Sequence, residues 1–299
     1  MGARPSTEQS KMATAKFAEL VSAVTVTAAD TLADRIKGCL FGLLIADALA
    51  MPSHWFYGGE HQIISMYGHR LSGYEQPITK LPGSIMSLSN TGGAGRGGAE
   101  GTIIGDVIFH GKKKFWERGG NFHYHQGMAA GDNTLEALLM RRVVNVTAAS
   151  GGGAERATFN PERIIEDYIQ FMTTPNTHND TYCGTSHRMF FLNYAAGKNP
   201  KECPDNDNHN VDSADSIVTT VPVALISSDE HVARNQVGEM VALTRNSKTA
   251  RQHAAVFAST LRAVVQGVSV RDAVLVAAGV VSYDVKAAVE RESSNPMTA

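Results

Sequence analysis

Several things are scarce in this chain, and each shortage removes a class of function. Three cysteines in 299 residues (Cys39, Cys183 and Cys203) are too few and too scattered for a disulfide framework, and no CxxC spacing occurs. A reducing compartment suits that usage, so a cytoplasmic location is expected. No uninterrupted apolar window reaches the roughly eighteen residues of a membrane span, and no membrane partner is expected. Charge of one sign is also missing: 27 basic against 29 acidic residues leave a net charge of -2, which gives no electrostatic ground for a nucleic-acid partner. The one basic run, Lys112-Lys113-Lys114, is short enough to be a solvated turn. Residues 1–31 lack the apolar core of a secretory signal and contain Glu8, Glu19 and Asp30, which a transit peptide avoids. They read as a flexible N-terminal arm ending in a short helix.

What remains is a chain that is 43% hydrophobic and 19% charged, with apolar residues at helical spacing and no convincing alternating strand. From Leu32 to Leu49, Ile36, Leu40, Leu43 and Leu44 share a broad apolar face with Gly38 and Gly42 between them, and a buried helix ending at Pro52 is expected. Asp47 within it needs a partner, because a carboxylate in apolar surroundings is costly. Ser53 to Tyr57 follows as a polar and aromatic turn containing His54. A second helix starts near Asn133, which reads as its N-cap with Glu136 three residues on. Asp132, Asn133 and Thr134 then gather at a helix mouth, as capping residues or as oxygens converging on a ligand or a hard cation.

Pro161 opens a third helix, and further helical patterns run from His187 to Tyr194, Ile217 to Leu225, His231 to Leu243, Ala250 to Val265 and Val270 to Val281. The expected architecture is all-α, of roughly ten helices. Between residues 67 and 120 the periodicity fades. There Gly93, Gly95 and Gly98 formally spell GxGxxG, but no strand precedes them, so the dinucleotide reading is weak. The stretch is either disordered or a ligand loop whose backbone N–H groups and Arg96 cradle an anion such as a diphosphate. His178, Cys183, His187, Cys203 and His209 match no zinc spacing, and the Asp, Asn and Thr oxygens around them suit Mg or Ca better.

Gly38-Cys-Leu-Phe-Gly-Leu-Leu-Ile-Ala-Asp47-Ala-Leu-Ala-Met-Pro-Ser-His54-Trp55 resembles the first helix motif of the ADP-ribosylglycohydrolase family, in particular the branch of selenoprotein J and the J1 crystallins. The glycine loop 90–101, the helix start Gly131–Thr134 and the segment His178–Arg188 resemble that branch as well. The resemblance covers residues 32–299. It implies one ADP-ribosylglycohydrolase-like domain, an orthogonal helical bundle that is C-terminally incomplete because the chain stops before the family's last helices. It also implies a pocket that binds ADP-ribose or an ADP-ribosylated substrate beside paired Mg ions and cleaves the bond at ribose C1 with a metal-positioned water.

Carried over by position, the match is partial. Active members present Thr-Asp-Asp where Gly131, Asp132 and Asn133 stand, hold an acidic residue where His54 stands, and carry a late acidic cluster that has no counterpart here. The resemblance implies Asp132 and Asn133 as metal ligands, Asp132, Asn133 and Asp180 as the catalytic set, and Asp47, His54, Gly93, Gly95, Arg96, His178 and His209 as substrate-binding residues. An amide and an imidazole hold Mg much more weakly than two carboxylates, so at most one Mg, weakly bound, is expected. Two functions follow: metal-assisted hydrolysis of an ADP-ribosyl glycosidic bond, or a non-catalytic relative acting as an ADP-ribose binder or a crystallin-like structural protein.

Overall fold

The computed structural model describes residues 7–22, 31–86, 103–116, 120–151 and 157–280. Among them ten α-helices follow one another: α1 (Thr7–Ser22), α2 (Leu32–Ala50), α3 (Gly59–Tyr67), α4 (Leu135–Ala149), α5 (Pro161–Thr173), α6 (Thr185–Ala195), α7 (Val221–Ile226), α8 (Glu230–Ala242), α9 (Lys248–Val265) and α10 (Val270–Val280). The described residues form no strand, only isolated bridges such as Lys80–Phe122 and Asp205–Arg245. The fold is all-α, as the spacing predicts.

Local chemistry sets the helix ends. Asn160 accepts the Arg163 N–H with Pro161 in the first turn of α5, Asp229 caps α8 through the Val232 N–H, and Ser247 caps α9 through the Ala250 N–H. Each satisfies a donor that the first helical turn leaves without an internal partner. Three cores result among the described residues. Helices α4, α7, α8 and α9 close one around Val143, Val223, Val237, Val241 and Ala254. A second joins Leu135 and Leu139 of α4, Tyr168 of α5 and Phe190 and Phe191 of α6 to Leu81, Ile104, Ile108 and Trp116 from the aperiodic stretch and to Tyr124 just after it, and a third packs α1 against α9 and α10. That stretch is therefore core material in its described parts. Gly93, Gly95 and Arg96 lie outside the described residues.

Two expectations about α2 need correction. Only its Ala48 is buried, whereas Phe41 is 64% exposed and Ile45 49%. The apolar pattern predicts a helix surrounded by protein, but α2 lies against α4, α7 and α9, which cover one side of it. Over Leu32–Ser53 its mean hydropathy is 1.5, long and apolar enough to cross a membrane by length and composition alone. Counting uninterrupted apolar runs misses this, because Gly and Ala between the Leu and Ile residues still carry the average.

Residues Thr7–Ser22, part of the N-terminal arm in the sequence reading, form α1 against α9 and α10. Phe17 is 2% exposed among Val256, Ala263, Val268, Ala273 and Val280. Phe17→Ala is expected to cost about 3 kcal/mol through the lost transfer energy and the residual cavity, read as a shift in the urea midpoint. A change below about 0.5 kcal/mol, the usual range for a surface substitution, would show that α1 does not contribute to the folded core.

Candidate functional site

The site grows from the first turn of α4. Asn133 and Glu136 form the expected capping box, but the structure puts the N-cap one residue later, at Thr134, with no side-chain capping bond of its own. The acceptors come from elsewhere in the chain. Asp47 of α2 takes the Thr134 N–H on Oδ2 at 2.8 Å and the Thr134 hydroxyl on Oδ1 at 2.7 Å. The Asn133 amide also donates to Asp47, at 3.0 Å, and to the Leu44 carbonyl at 2.7 Å. Asp180, from the loop before α6, takes the Leu135 N–H at 2.8 Å. Two carboxylates therefore sit at the positive end of one helix, where the backbone dipoles favour negative charge. Glu136 is released from capping, and its Oε1 lies 2.8 Å from Nε2 of His187, whose Nδ1 meets the Tyr168 hydroxyl at 2.7 Å.

A second chain of contacts leads from Asp180 outward. Its Oδ1 is 2.8 Å from Nδ1 of His125, and Nε2 of His125 is 2.8 Å from Nδ1 of His54. Asp180 is 1% exposed and His125 4%, and Asp180 also accepts the Thr181 N–H at 2.7 Å. Burial acts to raise the Asp180 pKa, but His125 and the backbone N–H groups outweigh it and hold the carboxyl below its usual value. Burial, reinforced by His125, pushes His54 down to about 4 against the opposing pull of Asp47 and Asp180. His123 is fixed separately: its Nδ1 accepts the His125 N–H at 3.0 Å while Nε2 meets the Pro52 carbonyl at 3.2 Å. Burial first, then His125, takes its pKa to about 3.

These groups open onto a cavity of 380 Å³ at the mouths of α4 and α6. Its polar lining includes His54, Thr134, Glu136, Asp180, Ser213 and Asp215, and no Lys or Arg among the described residues. Asp215 is matched from behind by Nη1 of Arg245 at 2.9 Å, and although burial acts to raise its pKa, that guanidinium holds it down. Trp55 forms part of the wall, stacked on Tyr124 with ring centroids 4.5 Å apart. Its backbone φ of 69° is a left-handed conformation that a bulky side chain adopts at a cost, the kind of strain that collects at ligand sites.

Of the residues singled out in the sequence, His54 and Asp180 line the cavity. Asp47 and Asn133 stand behind its Thr134 wall. Asp132 folds back to accept the Ala129 N–H at 2.8 Å. His178 lies in a separate cleft of 220 Å³ with His110 and Lys112, which shares Asp180. His209 is exposed in a turn where its N–H reaches Asp207, and its neighbour Asn210 touches the cavity. The sequence reading gives no site role to His125 or Asp215 and names Glu136 only as the capping partner of Asn133. A signal existed for the first: two histidines at i and i+2 just ahead of a helix start. Among the described residues no group of three or more His, Cys, Asp or Glu is arranged to hold a metal ion.

The model of the ADP-ribosylglycohydrolase family matches residues 28–296. No curated protein and no solved structure matches the chain.

Proposed function

The chain belongs to the ADP-ribosylglycohydrolase family, and from that premise we propose that its cavity takes the ribosyl end of an ADP-ribosyl group and hydrolyses the glycosidic bond there without a divalent metal. The observation that carries this reading is the lining: Glu136, Asp180 and Asp215 in a 380 Å³ cavity without a Lys or Arg among the described residues. Such a wall repels phosphate and favours a sugar's hydroxyl groups. It also favours the positive charge that develops at the ribosyl carbon in an oxocarbenium-like transition state. Trp55 offers an aromatic face at the cavity wall.

Mg, the metal that the family implies, does not fit the residues at the α4 mouth. Octahedral Mg needs oxygen lone pairs directed at it. Here the Asp47 oxygens accept the Thr134 N–H, the Thr134 hydroxyl and the Asn133 amide, both Asp180 oxygens accept N–H groups, and Asp132 accepts its own loop's Ala129 N–H. The Asn133 amide N–H groups already meet the Leu44 carbonyl and Asp47. Kinship to the selenoprotein J and J1 crystallin branch, suggested by residues 38–55, accords with a family member that has departed from metal-dependent turnover.

Calorimetry with ADP-ribose tests this reading. Affinity is expected to agree within about threefold with added Mg, with chelator, and in Asp132→Ala, a difference of about 0.6 kcal/mol. Binding or release of ADP-ribose that requires Mg and vanishes in Asp132→Ala would overturn it.

A further inference from the structure

We propose that His54, oriented through His125 by Asp180, is the base that accepts a proton from the water attacking the ribosyl carbon; this rests on the ribosyl-hydrolase reading above. Asp180 is fully engaged as an acceptor, so the His125 nitrogen facing it at 2.8 Å carries the hydrogen. With Nδ1–H of His125 on Asp180, we assign the Nε2 lone pair of His125 to the contact at 2.8 Å, so that Nδ1 of His54 donates. The proton of His54 is thereby committed inward, and its Nε2 is left with a free lone pair. That nitrogen has no hydrogen-bond partner among the described residues, and His54 lines the cavity. The Leu135, Thr181 and Tyr182 N–H groups hold Asp180 in place, and the ring of His125 meets His54 edge-on at a centroid distance of 4.9 Å. The arrangement has the logic of a histidine oriented by a buried carboxylate, lengthened by one imidazole. His54 is the catalytic residue, and His125 and Asp180 are positioning residues.

The step balances. A water O–H bond breaks, its proton passing to Nε2 of His54 while the oxygen bonds to the ribosyl C1. The bond from C1 to the leaving atom breaks with its electron pair, the leaving atom takes up a proton from solvent, and His54 returns its own proton to solvent. Imidazolium at His54 is stabilised along the line to Asp180. The charged and titratable groups around His54 are His125, Asp47, Asp180 and His123, and burial with His125 keeps His54 neutral across the physiological range.

The test uses an ADP-ribosyl ether of 4-nitrophenol, whose phenolate departs without needing a proton, so the base is read alone. His54→Gln is expected to lower kcat about 100-fold or more, the usual range for a lost general base, with ADP-ribose affinity kept within about threefold. Added imidazole should restore part of the turnover in His54→Gly. Asp180→Asn should lower kcat and change the tautomer of His54, read by histidine ring nitrogen NMR, where the wild-type protein shows Nδ1 protonated and Nε2 bare. The inference is overturned by wild-type turnover that His54→Gln leaves intact, by absent turnover in a protein that binds ADP-ribose, or by an Nε2-protonated His54 in the NMR spectrum. Failure of the wild-type protein to bind ADP-ribose overturns the functional reading instead, and the tautomer measurement still judges the relay.

Discussion

Asp180→Ala is expected to remove about 4 to 5 kcal/mol of folding stability, a large part of the roughly 5–15 kcal/mol that holds a domain together. The carboxylate is 1% exposed and accepts His125 Nδ1, the Leu135 N–H, the Thr181 N–H and the Tyr182 N–H. Truncation strips these donors of their acceptor, at about 1–3 kcal/mol for each that stays unpaired. It also removes the negative charge at the start of α4, which loosens the helix that carries Thr134 and Glu136 into the cavity. Asp180→Asn should lose roughly half as much, since its amide oxygen can keep one side of the network while the NH2 faces a donor on the other. Urea unfolding of the two variants checks this. A loss below about 1 kcal/mol for Asp180→Ala would mean that the α4 mouth is not anchored by this carboxylate.

That anchor explains which parts of the site could be read in the sequence. The caps at Asn160, Asp229 and Ser247 are local, each acting three residues ahead, and the spacing of residues displays them directly. The α4 cap follows the same physics with partners far away: Asp47 acts across 87 residues and Asp180 across 45. A local window therefore assigns the role to Asn133 and Glu136, the nearest residues with suitable chemistry. The cost of burying a carboxylate still made Asp47 legible as a residue in need of a partner, without saying that the partner would be Thr134 rather than a metal. His125 is harder to find, because its meaning lies in contacts 71 and 55 residues away. The exposure of α2 fails for a related reason. Composition states how apolar a helix is, while coverage depends on how many neighbours the topology brings to it.

Stability is expected to fall by about 5 kcal/mol between pH 7.5 and pH 4.5, mainly through two histidines that the native state keeps neutral. His54 titrates at about 4 and His123 at about 3 in the folded chain, against about 6.5 when unfolded. Below pH 6.5 the unfolded state binds protons that the native state refuses, so each depressed histidine favours the fold above its unfolded pKa and loses that contribution as pH falls through the folded value. Each adds a slope approaching about 1.4 kcal/mol per pH unit. For His123 burial is the main cause, with His125 next, and the contacts act in the same direction: its Nδ1 accepts the His125 N–H, and protonation there turns an acceptor into a donor facing another donor. His178, also depressed by burial, adds in the same direction. Asp180, held below its usual value, keeps its contribution through this window and loses it only at lower pH. Urea unfolding at a series of pH values measures the slope, and His123→Gln separates the contributions. Its amide can still donate to Pro52 and accept from His125 but cannot titrate, so the loss between pH 7.5 and 4.5 should shrink by about half. An unchanged slope in that variant would show that His123 titrates normally in the folded chain.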